Sequence, residues 1–217
     1  MSRTVAKIVD DKIVYAVQKN MNKRFRTIIP QIKSEIKPKI SNIILNQLNK
    51  SDTVQSLLSG KLKDDFGLFG NVVKVTLENI IIEISEGIEL NIESSQKSGS
   101  IVTTTLDILP YSDFPKIASV AGASFPSAGG NVDWLEWLLA RGTQVVIGDY
   151  WIFPYAKGRT RSGGDGVMKM IESKPRQPFR VDPNYAGTLT DNFITRAIES
   201  TRDDVSKVLL EAVDRRF

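Results

Sequence analysis

The sequence predicts an α+β fold, in which long N-terminal helices precede a central, mostly antiparallel sheet with a long hairpin, and a C-terminal helix follows. Three observations lead to this prediction. Apolar residues recur at helical spacing before residue 50, alternate with polar residues after residue 71, and return to helical spacing after residue 190. Because these blocks do not alternate regularly between strand and helix, a parallel α/β architecture is not favoured.

The first third of the chain predicts helices and turns. Residues 5–29 carry apolar side chains at helical spacing, with lysines and arginines on the other faces. Pro30 and Pro38 are expected to interrupt this pattern. Ser51 and Asp52 are expected to cap a short helix that ends at Gly60. We therefore predict a helical region or arm at 1–65 and an α+β core domain at 66–217.

The next stretch is typical of a meander. Val73, Val75 and Leu77 alternate with Lys74 and other polar residues, and β-branched residues are frequent. We predict three antiparallel strands here. Their ranges are 72–84, 88–93 and 101–109. Residues 110–130 are rich in proline and glycine, which favours an exposed connection.

A short helix is predicted after this connection. Asn131 resembles an N-cap, and the helix would run through residues 133–140. Trp134 and Trp137 lie three residues apart, so both rings fall on similar helix faces. We expect them to anchor the helix in the core, although aromatic side chains are also common at interfaces.

A long hairpin and a final helix complete the predicted fold. Residues 145–153 and 167–171 have the composition of strands, and the glycine- and arginine-rich stretch 157–166 would be the hairpin tip. Thr190 or Asp191 is expected to cap the last helix.

Composition argues against most kinds of catalysis. The chain has no histidine and no cysteine, which excludes His-based triads, thiolate chemistry and the usual zinc sites. The clustered glutamates alternate with isoleucines, as on a solvated face. We therefore predict no catalytic residue, no metal site and no cofactor. No apolar stretch has the length of a signal peptide or a membrane span, so we expect synthesis in a cytoplasm and no membrane contact.

The charges are unevenly distributed. Residues 1–63 contain 13 basic and 4 acidic residues, whereas residues 64–217 contain 16 basic and 21 acidic ones. The basic third could be a solvated helix face, or it could meet DNA through Lys19, Lys23, Arg24 and Arg26. The 157–166 loop lacks the spacing of a Walker or dinucleotide loop, so a plain hairpin tip is the first interpretation. Among functional interpretations, a contact with a protein or with DNA phosphate is favoured over a nucleotide site.

Three segments carry a family resemblance. Residues 158–168, 179–183 and 185–198 together resemble the C-terminal half of neck and tail-completion proteins of tailed bacteriophages. The resemblance implies a non-enzymatic structural protein of the virion, made in the host cytoplasm. It implies a homo-oligomeric ring, hexameric or dodecameric, at the head-tail junction, in contact with other neck, portal or tail proteins, and it allows a sequence-independent contact with channel DNA. Neck, tail-completion and tail-terminator roles all remain open.

The predicted subunit interface combines exposed aromatic residues, the cationic loop and the turn after it. Its residues are Tyr150, Trp151, Tyr155, Lys157, Arg159, Arg161, Pro183 and Tyr185. The alternative function is a nucleic-acid-binding module that uses the basic N-terminal helices.

Overall fold

The computed structural model describes residues 2–68, 71–93, 103–109, 113–127, 130–147, 150–154, 166–170 and 179–216. The helices in these ranges are α1 (Ser2–Lys50), α2 (Asp52–Ser59), α3 (Lys61–Phe66), α4 (Val72–Gly87), α5 (Phe114–Ala118), α6 (Trp134–Ala140), α7 (Phe193–Ser200) and α8 (Arg202–Asp214). The strands are β1 (Glu89–Glu93), β2 (Thr103–Asp107), β3 (Phe125–Ser127), β4 (Gly130–Val132), β5 (Val145–Ile147), β6 (Tyr150–Pro154), β7 (Gly166–Met170) and β8 (Phe179–Arg180).

Helix α1 continues through both prolines, so the predicted interruption was wrong. A proline inside a helix costs about 3 kcal/mol. Packing outweighs this cost, because the C-terminal half of α1 places an unbroken row of aliphatic side chains in the core, each contributing about 1.5–3 kcal/mol. The row consists of Ile32, Ile36, Ile40, Ile44 and Leu48, all at most 1% exposed.

The predicted short helix after α1 is confirmed. The Ser51 hydroxyl accepts a hydrogen bond from the backbone N–H of Val54, as expected of an N-cap, and Gly60 ends α2. Helix α3 starts immediately afterwards, and its Leu62 N–H donates to the hydroxyl of Ser56 at 3.0 Å. Helices α2 and α3 therefore form a compact corner.

The strand predicted at 72–84 was wrong, because these residues belong to α4. The buried side chains of α4 recur at helical rather than alternating spacing, as Leu77, Ile80 and Ile84 illustrate. The apolar side chains that suggested alternation are divided between the two sides of the helix. Val73 is buried, whereas Val75 is 46% exposed.

The strands form four separate antiparallel pairs, β1–β2, β3–β4, β5–β8 and β6–β7. The predicted pairing of the second and third meander strands is confirmed in β1 and β2. Strands β6 and β7 pair from Tyr150 opposite Met170 to Pro154 opposite Gly166, while the predicted tip between them lies outside the described residues. A continuous central sheet is not found among the described residues. The described chain is mostly helical, with small antiparallel pairs, which agrees with the α+β class only in its coarse form.

The region predicted as an exposed connection contains α5 and the β3–β4 pair. Asn131 lies in β4 rather than at an N-cap, and Asp133 immediately precedes α6. The β3–β4 pairing uses the backbone of Asn131, opposite Pro126, so the helix starts later than predicted.

The predicted final helix is two helices. Asn192, not Thr190 or Asp191, caps α7, because its Oδ1 atom accepts from the first N–H groups of the helix, whereas the Asp191 carboxylate pairs with Nε of Arg196 at 2.6 Å. The break between α7 and α8 falls at Thr201, whose hydroxyl donates to the carbonyl of Ile198 at 2.8 Å.

One buried cluster joins these elements. Trp134 and Trp137 are 1% and 7% exposed, which confirms their predicted core role. The ring of Phe66 lies 5.9 Å from that of Trp137 and 6.1 Å from that of Phe179, measured between centroids. The cluster also includes the buried aliphatic row of α1. Side chains from both sides of the proposed boundary at residue 65 therefore share a core, and the division into two regions stays a prediction.

Candidate interaction surface

The turn that follows β8 presents two of the predicted interface residues. The Asp182 carboxylate accepts a hydrogen bond from the backbone N–H of Asn184 at 3.0 Å, and the Asp182 carbonyl accepts from Tyr185 N–H at 2.9 Å. Pro183, which lies between Asp182 and Asn184, has a φ angle fixed by its ring at a value that such a turn requires. Pro183 and Asn184 are exposed, and Tyr185 is half-buried. The turn is thus a shaped, accessible surface feature.

A salt bridge ties this turn to the start of α3. Nζ of Lys61 lies 2.7 Å from the Asp182 carboxylate. The hydrogen bond from Lys61 holds the pKa of Asp182 below its usual value, and the same bond raises the pKa of Lys61. Because Lys61 is 60% exposed, water screens the pair and its stabilisation is modest. The salt bridge therefore mainly sets the position of the turn relative to α3 and adds little to the free energy of folding.

A polar groove of about 600 Å³ lies between the turn and the α2–α3 corner. Its lining residues are Asp52, Gln55, Ser56, Gly60, Lys61, Asn184 and Tyr185. Asp65, one helical turn beyond Lys61, is half-buried, and burial raises its pKa to about 6 against the opposing attraction of Lys61. We name the surface formed by this groove and the 182–185 turn the corner surface.

The backbone beyond the turn is held by a close packing contact. A Cβ atom on Gly187 would lie 2.5 Å from the carbonyl oxygen of Leu138 and 2.6 Å from Cβ of Asn192. The Gly187 carbonyl also accepts a hydrogen bond from Gly142 N–H at 2.8 Å. Only glycine allows α6 and the chain after the turn to approach so closely.

A buried capping box fixes the start of α7. The Oδ1 atom of Asn192 accepts hydrogen bonds from Ile194 N–H at 3.0 Å and Thr195 N–H at 3.1 Å. Its Nδ2 atom donates to the Thr188 carbonyl at 2.9 Å, and Asn192 is fully buried. The Oδ1 and Nδ2 atoms of this side chain therefore both have partners, which joins the start of α7 to the backbone at Thr188.

Helix α3 brings together two of the segments predicted to form the interface. Strands β6 and β7 lie against α3, and Lys61 at the start of α3 holds the 182–185 turn. Tyr150 and Trp151 are on β6. The other predicted interface residues, Tyr155, Lys157, Arg159 and Arg161, lie outside the described residues.

The predicted DNA-facing residues lie on α1. Lys19, Lys23 and Arg24 are exposed, and the Arg24 guanidinium donates to the carbonyl of Arg216 at 3.1 Å. The side chain of Arg26 is outside the description. Because Lys19 and Lys23 are four residues apart, they share one helix face.

The sequence prediction missed a second groove, of about 710 Å³, whose lining is more apolar than polar. Its lining residues are Phe114, Pro115, Ala118, Ser119, Ser124, Asp133, Glu136, Leu139, Ala140 and Leu189. The corner surface was missed in part as well, since Lys61 and Asp182 are 121 residues apart. No local sequence signal links Lys61 to Asp182 or joins the walls of the second groove, because packing alone brings these residues together.

Within the described ranges, no group of three or more histidine, cysteine, aspartate or glutamate residues could hold a metal ion. None of the described helices combines the length and the apolar character needed to cross a membrane. Comparison of the chain with protein-family models, with curated proteins and with solved structures found no match in any of the three.

Proposed function

We propose that this chain is a non-enzymatic virion structural protein that forms a ring at the head-tail junction of a tailed phage. The observation that carries the proposal is the resemblance of residues 158–198 to neck and tail-completion proteins. The ring would contact the portal, another neck protein or the upper tail, and would work by stereospecific packing.

The corner surface suits such a role. It combines an exposed turn and a polar groove with a backbone held by the close packing at Gly187 and the cap at Asn192, so we expect little loop entropy to be lost on binding. The proposed docking edge joins this surface to the pair of strands β6 and β7 and to the cationic tip that the sequence predicts between them. Since α3 contacts both β6 and β7, the hairpin and the turn would bind one neighbour together.

Charge favours a head-to-tail contact between identical subunits. A ring requires a heterologous interface, in which one face of each subunit meets a different face of the next. The first third of this chain is basic and the remainder is acidic, and this split along the sequence would supply the complementary charges of such an interface. Their attraction would increase the association rate and select the correct orientation.

The test is the assembly state of the purified chain. We expect sedimentation velocity and negative-stain images to show a closed symmetric multimer, alone or with purified virion partners. Low salt is expected to favour assembly, because the proposed contact joins opposite charges. Monomeric behaviour at every concentration and salt, with and without such partners, would contradict the proposal.

A second candidate function is sequence-independent DNA binding by α1. The observation that favours it is the exposure of Lys19, Lys23 and Arg24 on neighbouring helical turns. Anisotropy titrations of duplex DNA at several salt concentrations would measure the logarithmic salt slope. Combining Lys19→Gln with Lys23→Gln is expected to reduce that slope by about 2.

The matched control neutralises two exposed lysines elsewhere, Lys74 on α4 and Lys207 on α8. This pair changes the net charge equally, so an effect specific to α1 would separate a binding face from general attraction. Equal slopes for both double variants would reject α1 as the DNA-binding face.

A further inference from the structure

The seam between α1 and the end of α8 carries a dense cluster of basic side chains. The Arg24 guanidinium donates to the carbonyl of Arg216 at 3.1 Å. The carboxylate of Glu35 accepts hydrogen bonds from three basic side chains, those of Lys39, Arg215 and Arg216. We name the four basic residues Arg24, Lys39, Arg215 and Arg216 the seam cluster.

Positive charge is in excess at this seam. Among the described residues, the single carboxylate of Glu35 is the salt-bridge partner of three cations. Nε of Arg216 is buried and has no acceptor in the part of the chain that the structure describes, so donors outnumber acceptors. Residues 19–39 contain seven lysines and arginines against one glutamate, and residues 211–216 contain two basic and two acidic residues. The two segments together therefore carry six uncompensated positive charges.

The basic side chains of the seam cluster are accessible to a ligand. Those of Arg215 and Lys39 are 56% and 42% exposed, whereas that of Glu35 is 24% exposed, so an approaching anion meets cations before the carboxylate. Arg24 is exposed as well, and it precedes Lys39 by about 22 Å along the axis of α1. Duplex DNA carries one negative charge per about 1.7 Å. A basic strip of this length therefore suits an extended polyanion better than a small anion.

The surroundings of the cluster favour a phosphate backbone over an acidic protein. None of the large apolar side chains that the described residues leave exposed lies on α1. The exposed uncharged residues described between positions 19 and 39 are polar or proline, namely Asn20, Thr27, Pro30, Gln31, Ser34 and Pro38. A stable protein interface usually has an apolar or aromatic centre, which contacts with phosphate do not require. Guanidinium groups, in addition, match the geometry of phosphate oxygens.

We propose that the seam cluster binds the phosphate backbone of duplex DNA. This inference rests on the second candidate function, DNA binding by α1, and extends that binding face to the end of α8. The duplex would follow α1 from Lys19 and Lys23 towards Lys39, where Arg215 adds a cation from the other end of the chain. Because the contacts are with phosphates, binding would not depend on base sequence.

Anisotropy titrations with a fluorescent duplex of about 20 base pairs, at several salt concentrations, test the site. The test variant combines Lys39→Gln with Arg215→Gln and is expected to reduce the logarithmic salt slope by about 2. The control combines Arg202→Gln with Lys207→Gln on α8 and is expected to leave the slope unchanged. Both double variants remove one lysine and one arginine that are paired with carboxylates, so the change in net charge is the same.

Glu35→Gln tests the same site by a gain of binding. It removes the carboxylate that competes with DNA for three cations, so we expect tighter binding and a salt slope steeper by about 1. Glu199→Gln removes the same charge from an exposed position on α7 and is expected to change the slope less. A purely structural role of Glu35 would not tighten binding. Urea unfolding of each variant checks that the chain is folded under the assay conditions.

The outcomes separate this inference from the function on which it rests. Equal slopes for the two double variants, or binding by Glu35→Gln no tighter than by Glu199→Gln, would overturn the seam site. If Lys19→Gln with Lys23→Gln still reduced the slope, DNA binding by the rest of α1 would stand. A wild-type chain that does not bind the duplex even at low salt would overturn both. Displacement of the duplex by polyglutamate of equal charge would indicate an acidic protein partner and would also overturn the proposal.

Discussion

The carboxylate of Glu35, in the middle of α1, accepts a hydrogen bond of 2.9 Å from Nη2 of Arg216, which lies 181 residues later in the chain. The same carboxylate accepts hydrogen bonds from Lys39 and Arg215. The backbone beyond α8 is thereby attached to the long helix. Since α1 and α8 also pack together, this cluster closes one end of the helical layer.

Glu35→Gln tests this cluster through pH. The hydrogen bonds from Lys39 and Arg216 lower the pKa of Glu35 in the folded chain, so its stabilising contribution is present above about pH 4.5 and is lost on further acidification. Glu35→Gln is expected to lower the urea midpoint at neutral pH, with a smaller difference near pH 3. Glu199→Gln, at a well exposed carboxylate, is the control. A Glu35→Gln difference that is independent of pH would contradict the prediction.

Asp65→Asn is expected to raise the stability of the fold at neutral pH, whereas Glu35→Gln lowers it. Burial raises the pKa of Asp65 to about 6, so the folded chain binds this proton more tightly than the unfolded chain does. Stability is therefore lost as pH rises from about 4 towards 6 and above. Asp65→Asn removes the cost of the buried charge, and its urea midpoint should exceed that of wild type at pH 7 but not near pH 3.

Asp214→Asn is the control for Asp65→Asn, because it removes the same charge from an exposed position. If Asp65→Asn lowered stability at pH 7, or matched Asp214→Asn at both pH values, burial of the Asp65 carboxylate would not be the cause.

Gly187→Ala should destabilise the fold by about 1–3 kcal/mol, as overpacking does. The added methyl group would lie 2.5 Å from a backbone oxygen, which cannot move without shifting α6. The comparison is Gly142→Ala, where φ is +56° but the nearest atom would be 3.9 Å away, so backbone strain acts without a clash. Chemical unfolding measures both losses. A loss for Gly187→Ala that does not exceed that for Gly142→Ala would contradict the packing argument.

Asn192→Ala should cost about 1–2 kcal/mol, the upper range for an N-cap. The substitution leaves the N–H groups of Ile194 and Thr195 and the carbonyl of Thr188 without their partner in a buried site. Asn184→Ala removes an exposed amide from the neighbouring turn and is expected to change stability by less than about 0.5 kcal/mol. Similar unfolding midpoints for the two variants would show that the cap contributes little.

The sequence predicted the features that depend on neighbouring residues. Ser51 and Gly60 delimit α2 because capping is a local interaction, and β1 and β2 pair over five residues between stretches that are close in sequence. Helix α4 was misread because β-branched residues are frequent in it, although Leu77, Ile80 and Ile84 already had helical spacing. Tertiary burial outweighed intrinsic propensity there, as it did at the prolines of α1.

The candidate surfaces were predictable only in part. Pro183 and Tyr185 belong to a turn with a clear local signature, and both were predicted to be interface residues. Their partner Lys61 is distant in sequence, as are the walls of the apolar groove at Phe114 and Leu189. Such sets form only when the core has packed, so no pattern along the chain indicates them.

The unbroken backbone of α1 has a mechanical consequence. About 33 Å of helix separates Ser2 from Arg24, whose guanidinium donates to the Arg216 carbonyl. A tilt of about 5° at that contact would displace the far end by about 3 Å over this length. A partner that binds the N-terminal end of α1 could therefore transmit small movements along the helix to the core of the subunit.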